Sequence, residues 1–110
     1  MDNIKEYKIN MEKEKIQNWK TPKWHKDFGD PRKELSLLKN LCLFILKLNP
    51  YYSFEIEYIE EGYMAVNIYK EGKYIGECQV VDQEINKIGL FLESGKEIYI
   101  FKKEDIKKHI

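Results

Sequence analysis

A helical pattern of apolar residues lies between Pro31 and Leu48. At 100° per residue, nearly all of these side chains fall within an arc of about 200°, and lysine, serine and asparagine lie on the opposite side. Asp30 can cap the first turn, Pro31 suits the first helical position, and Pro50 follows the last turn. The pattern therefore predicts one main helix over about 31–48 that is buried on most of its sides.

From Tyr51 onward the apolar period changes from helical spacing to two. Such alternation is typical of strands that bury one face. Five alternating segments follow one another and are separated by short polar connections. Because connections this short join antiparallel neighbours, we expect an antiparallel meander of about five strands over 51–101. The fold class predicted is α+β, with two layers in which the main helix packs on one face of the sheet.

The N-terminal segment, residues 1–30, is charged and carries a weaker pattern. Its sparse apolar positions fit helical and strand spacing equally well: Ile4, Tyr7, Ile9 and Met11. We favour a helix over about 10–19 that begins at Asn10. Since 110 residues make one domain, residues 1–30 are expected to form a helical or loop segment of the same domain as the helix and sheet of 31–110. Residues 103–110 are expected to add one or two helical turns.

The composition is that of a folded protein, because 43% of the residues are hydrophobic and 14% are aromatic. The formal net charge is zero, which removes any global electrostatic argument for nucleic acid or an anionic membrane. The charge is nevertheless divided along the chain. Residues 1–50 carry eleven basic and seven acidic side chains, whereas residues 51–110 carry eight basic and twelve acidic ones.

Location and origin are also indicated by composition. The longest strongly apolar run, Leu41 to Leu46, is far shorter than the roughly 20 residues that span a bilayer. The polar N-terminus lacks the apolar centre of a signal peptide, so a cytoplasmic location is expected. Arg32 is the only arginine, and isoleucine, glutamate, tyrosine and asparagine are abundant. This bias is typical of AT-rich coding DNA and favours an origin in a low-GC bacterium or its phages.

Aromatic and basic residues alternate in the loop between Trp19 and Phe28. A nucleotide or single-stranded nucleic-acid site uses such a mixture, because rings stack on bases while ammonium groups neutralise phosphate. Tryptophan is also enriched among the hot spots of protein interfaces. A third interpretation is that the rings only anchor the loop on the core helix. The binding candidates of this loop are Trp19, Lys20, Lys23, Trp24, His25 and Lys26.

Glu55 and Glu57 share one face of the first predicted strand, the face opposite the core. Paired carboxylates can flank a substrate as they do in glycosidases. They can also form an acidic surface that attracts a basic partner, or simply a solvated face. We retain both residues as interface candidates.

The sequence contains no recognisable catalytic motif, metal-ligand array or phosphate-binding loop. Cys42 and Cys78 are expected to be buried as small apolar residues. His25, Asp27 and Asp30 lack the second histidine at helical spacing that a hydrolytic zinc site would show. We therefore predict no catalytic residue, metal site or cofactor, and we do not expect an enzyme.

The function expected from these features is that of a small protein-binding protein that inhibits a partner macromolecule. Immunity proteins and phage anti-defence proteins of the anti-CRISPR-like kind share this general character. The alternative is a nucleotide or single-stranded nucleic-acid binding module that uses the loop at 19–28. A protein partner is favoured over nucleic acid, no membrane partner is expected, and the sequence leaves monomer and homodimer open.

Overall fold

The computed structural model describes residues 3–23, 29–60 and 63–110. Two α-helices precede five strands and a short 3₁₀ helix. Their bounds are α1 Asn3–Gln17, α2 Pro31–Leu48, β1 Tyr52–Glu60, β2 Tyr63–Lys70, β3 Lys73–Asp82, β4 Lys87–Leu92, β5 Glu97–Ile100 and the 3₁₀ helix Lys103–Lys108. The strands pair in the order β1-β2-β3-β4-β5, and every pair is antiparallel. The predicted α+β fold and its five-strand meander are therefore confirmed.

Helix α2 has the bounds that its pattern predicts. The Asp30 carboxylate accepts a hydrogen bond from the Arg32 backbone N–H at 3.0 Å and so caps the first turn. At the other end, the Asn49 backbone N–H donates to the Ile45 carbonyl at 2.9 Å. The fully buried side of α2 packs on the sheet and consists of Leu35, Leu38, Leu41, Cys42, Ile45 and Leu46. The helix therefore supplies the centre of the core.

The inner face of the sheet completes this core. Its main buried side chains are Tyr52, Phe54, Met64, Val66, Ile68, Cys78, Ile88, Leu90, Ile98 and Ile100. Cys42 of α2 and Cys78 of β3 both have zero exposure, as the sequence predicts. Burial and the neighbouring Cys78 thiol raise the pKa of Cys42, which keeps its thiol protonated.

Helix α1 corrects the prediction for the N-terminal segment. The helix begins at Asn3 and not at Asn10, so the predicted range of 10–19 starts too late, and the strand alternative is wrong. No glycine or proline interrupts residues 3–17. Ile9 and Ile16 face the core, and at 100° per residue they lie on nearly the same side of the helix. Because this inward side spans the segment, the helix extends through Asn10.

A side-chain hydrogen bond joins α1 to the edge of the sheet. Strand β1 is an edge strand, so its outward backbone groups have no neighbouring strand to pair with. The Phe54 backbone N–H donates to the Glu12 carboxylate at 2.9 Å. The Lys39 ammonium also donates to the Gln17 carbonyl at 3.1 Å, which ties the end of α1 to α2. Helix α1 therefore covers this edge of the sheet.

A β-bulge interrupts the pairing of β2 with β3. Ile68 pairs with Gly76 and Tyr69 pairs with Tyr74, so Ile75 is an extra residue on β3. Gly76 has a φ of +150°, and a Cβ there would lie 2.5 Å from the Phe91 carbonyl oxygen. A side chain at this position would therefore both strain the backbone and collide with β4.

Glu34 lies in the first turn of α2 and is partly buried. Its Oε2 atom is buried and accepts no hydrogen bond from the residues that the structure describes. Burial raises the pKa of this carboxyl to about 7. A carboxylate in the first turn interacts favourably with the helix dipole, but desolvation of the Glu34 carboxylate outweighs this effect. Among the described residues, neither α-helix is long and apolar enough to cross a membrane.

We expect Glu12→Ala to lower the free energy of unfolding by about 1–2 kcal/mol, because the substitution leaves the edge N–H of Phe54 without its charged acceptor. Urea unfolding followed by circular dichroism measures this difference. Glu14→Ala, an exposed neighbour on α1, serves as the control and should change the free energy of unfolding little. Equal effects of the two substitutions would contradict the role of Glu12.

We expect the free energy of unfolding to fall as the pH rises from about 5 to 8, because folding raises the pKa of Glu34 and the folded state takes up a proton in that range. Glu34→Gln should remove this pH dependence and stabilise the protein at pH 8 by about 1 kcal/mol, allowing for partial solvent screening. Denaturant unfolding at several pH values tests the expectation, with Glu6→Gln of α1 as control. A Glu34→Gln protein with the wild-type pH profile would refute it.

Candidate interaction surface

The outer face of the sheet is left uncovered by the described residues. Both α-helices and the 3₁₀ helix pack on the inner side. The side chains that alternate with the core residues therefore point away from all three helices. They are Ser53, Glu55, Glu57, Tyr63, Ala65, Asn67, Tyr69, Tyr74, Glu77, Gln79, Val81, Phe91, Glu97 and Tyr99. We call this set the outer face.

Aromatic rings on this side are arranged in two edge-to-face pairs. Tyr69 and Tyr74 lie with their ring centroids 5.7 Å apart at 65°. Phe91 and Tyr99 lie 6.2 Å apart at 86°. These geometries are favourable for aromatic pairs and restrict the rotamers of the rings. Because Tyr74 and Tyr99 are 37% and 44% exposed, the outer face offers ordered rings to a partner.

Carboxylates lie among these rings and are themselves held in place. The Asn67 amide donates to Glu57 at 2.6 Å, and the Tyr99 hydroxyl donates to Glu97 at 2.7 Å. The hydrogen bond to Glu97 raises the pKa of Tyr99 above its usual value, so the hydroxyl remains a donor. The Lys87 ammonium lies 4.9 Å from the centre of the Tyr99 ring. A basic group therefore lies close to the end of the outer face that carries Tyr99.

Tyr74 reports the acidic surroundings at the other end of the face. Its pKa is raised by desolvation and by the charges of Glu77, Glu93 and Glu57. Three carboxylates therefore lie near one phenol hydroxyl. This arrangement gives the outer face a negative potential together with exposed ring edges.

The residues predicted from the sequence divide between two sides of the molecule. Glu55 and Glu57 are exposed on the outer face, as their alternation requires. Trp19 instead lies against the core with 9% exposure, in the anchoring position that the sequence left open. Lys20 and Lys23 are exposed beside it.

The Tyr58 hydroxyl donates to the Lys20 carbonyl at 2.5 Å, so this segment is fixed to β1. Trp24, His25 and Lys26 lie outside the described residues. The structure does not bring Lys20 and Lys23 together with Glu55 and Glu57, because the first pair follows α1 on the helix side of the sheet. The interface roles of both groups remain predictions.

Two features of the outer face escape the sequence analysis. The pairing of Phe91 with Tyr99 depends on the register of β4 and β5, and that of Tyr69 with Tyr74 depends on the bulge. In the sequence, these aromatic residues alternate with apolar core residues, which predicts that they lie on the outer face. The alternation does not show which rings contact each other.

Within the described ranges, no three His, Cys, Asp or Glu side chains are grouped so that they could hold a metal ion. His25 and Asp27, which the sequence analysis considered as ligands, lie outside those ranges. The chemistry that the outer face supports is therefore noncovalent: hydrogen bonds from tyrosine, ion pairs to carboxylates, and burial of ring surface.

Comparison with known proteins finds no matching family model, no matching curated protein and no matching solved structure.

Proposed function

We propose that this chain is a non-enzymatic protein-binding protein that uses its outer face to occupy a basic surface of a partner macromolecule and so inhibit it. The observation that carries the proposal is the uncovered outer face, where two ordered aromatic pairs lie among carboxylates. The rings contribute affinity for a partner, and the carboxylates contribute selectivity for a basic one.

The ordered rings support affinity. Tyrosine is enriched among interface hot spots and buries a large area with few rotatable bonds. Because each exposed ring is already fixed against a second ring, less side-chain entropy is lost when a partner covers it. Tyr74 and Tyr99 are exposed, whereas their ring partners Tyr69 and Phe91 are partly buried. We therefore assign Tyr74 and Tyr99 as anchors.

The carboxylates support selectivity for a basic partner. Glu55, Glu57 and Glu97 are exposed, and Glu77 lies between them in the sheet. A negative face speeds encounter with a positive one and disfavours acidic partners. Proteins that bind nucleic acid carry such positive surfaces, so an acidic face that covers one competes with phosphate.

This mode of action suits an inhibitor of the immunity-protein or anti-defence kind. The proposal includes the cytoplasmic location and the low-GC bacterial or phage origin expected from composition. The alternative, a nucleotide or single-stranded nucleic-acid binding module that uses the loop at 19–28, is an outcome of the first experiment below.

We expect charge reversal by Glu55→Lys with Glu57→Lys to slow association with the partner at least tenfold at low salt, because it removes the attraction to a basic surface. The partner is first isolated from host lysate with the wild type, and association is then followed by biolayer interferometry. Glu84→Lys with Glu104→Lys changes the net charge equally but lies away from the outer face, so it should leave association nearly unchanged.

An unaltered association rate in the Glu55→Lys, Glu57→Lys protein would contradict the acidic-face proposal. Recovery of a nucleotide or oligonucleotide whose binding is lost on Trp24→Ala and falls steeply with salt would replace it with the alternative.

We expect Tyr99→Ala to raise the dissociation rate from that partner at least tenfold, since it removes an exposed ring and the hydrogen bond to Glu97. Phe101→Ala is the matched control, because Phe101 is 50% exposed but borders α2 residues on the inner side. Dissociation that accelerates equally in both variants would count against an anchoring role for Tyr99.

A further inference from the structure

A pocket opens into the core at the end of the sheet that carries the β2–β3 and β4–β5 turns. Its volume is about 440 Å³, which lies within the range of roughly 300–1,000 Å³ typical of small-molecule sites. Buried apolar side chains from α2 and four strands form its walls: Ile45, Tyr52, Ile68, Leu90 and Ile98. The partly buried Ile75 and Leu92 lie nearer the opening.

Gly76, which lies next to the bulge, explains why the core is incomplete at this place. Gly76 lies between Ile68 and Leu92 in the sheet, and both of these residues line the pocket. Gly76 supplies no side chain, and its φ of +150° together with its close approach to the Phe91 carbonyl oxygen excludes a larger residue. The space between Ile68 and Leu92 is therefore a fixed consequence of the backbone.

Apart from the Tyr52 hydroxyl, the polar side-chain groups of the lining lie at the mouth of this pocket. They belong to Lys73, Tyr74, Glu93, Ser94 and His109, all of which are exposed. Glu93 lies close enough to the Tyr74 hydroxyl to raise its pKa, together with Glu77 and Glu57 of the outer face. Glu93 is the acidic group of the mouth and would repel an anion, whereas Lys73 and His109 can donate hydrogen bonds to one.

We propose that this pocket binds a small amphipathic carboxylate, whose aliphatic body lies against Ile45, Ile68 and Ile98 and whose carboxylate meets Lys73 and His109. An apolar body fits because the walls carry no charged side chain, so a buried polar group would lack a partner. A carboxylate fits because an ammonium–carboxylate hydrogen bond at the mouth is charge-assisted and remains hydrated. The site opens on the helix side of the sheet and goes beyond the proposed function of the outer face, with which it shares Tyr74 at its mouth.

Decanoate is the probe for the experiment. Titration into protein with ¹³C-labelled isoleucine methyl groups should give saturable shifts at Ile45, Ile68 and Ile98, while Ile4 on the exposed side of α1 should stay unchanged. Decanol and decylamine serve as head-group comparisons. We expect decanoate to bind at least fivefold more tightly than either, because only its head group can pair with Lys73 and His109.

Lys73→Gln should weaken decanoate binding about tenfold and leave decanol binding unchanged. Lys33→Gln, an exposed lysine at the far end of α2, should leave both affinities unchanged. Both lysines are exposed, so neither substitution endangers the fold. Absence of saturable shifts at the three isoleucines would overturn the site. Equal affinity for decylamine, or equal effects of the two lysine substitutions, would overturn its assignment to carboxylates.

Discussion

The packing of α2 on one face of the meander determines most other features of this protein. An antiparallel sheet whose strands alternate apolar and polar side chains has one apolar face, and a helix with a wide apolar arc must bury most of its circumference. The helix and the sheet therefore bury each other's apolar surface. Leu38 and Ile45 of α2 lie in the same core as Phe54 and Val66 of the sheet. Helix α1 and the 3₁₀ helix then fill the margins of that one inner layer, so the outer face remains without a cover from the described residues.

The division of charge along the sequence becomes a division between layers. The two α-helices carry eight basic and four acidic side chains, whereas the five strands carry three basic and six acidic ones. Since the helices lie on the inner side of the sheet, the molecule has a basic helical layer and a more acidic sheet layer. A protein of zero net charge can in this way present a negative surface to a partner, which its net charge alone would not indicate.

The elements predicted well are those whose signals are local. Helix α2 has its cap at Asp30 and its own wide arc, and every strand alternates over enough residues to fix its inner face. The start predicted for helix α1 lies seven residues too far along the chain, because the position of this helix depends on contacts distant in sequence, such as that of Glu12 with the Phe54 N–H. For the same reason Glu55 could be assigned to the outer face, whereas the aromatic pairs could not be foreseen, since they depend on register between strands.

The bulge at Ile75 of β3 has consequences on both faces of the sheet. The extra residue Ile75 shifts the register, which brings Tyr74 opposite Tyr69 and so creates one of the ring pairs of the outer face. Next to the bulge, Gly76 pairs with Ile68 in the register of the rest of the ladder, and its missing side chain leaves space in the core. Because a bulge changes twist and side-chain direction together, the acidic end of the outer face and the mouth of the pocket share Tyr74 and the backbone that positions it.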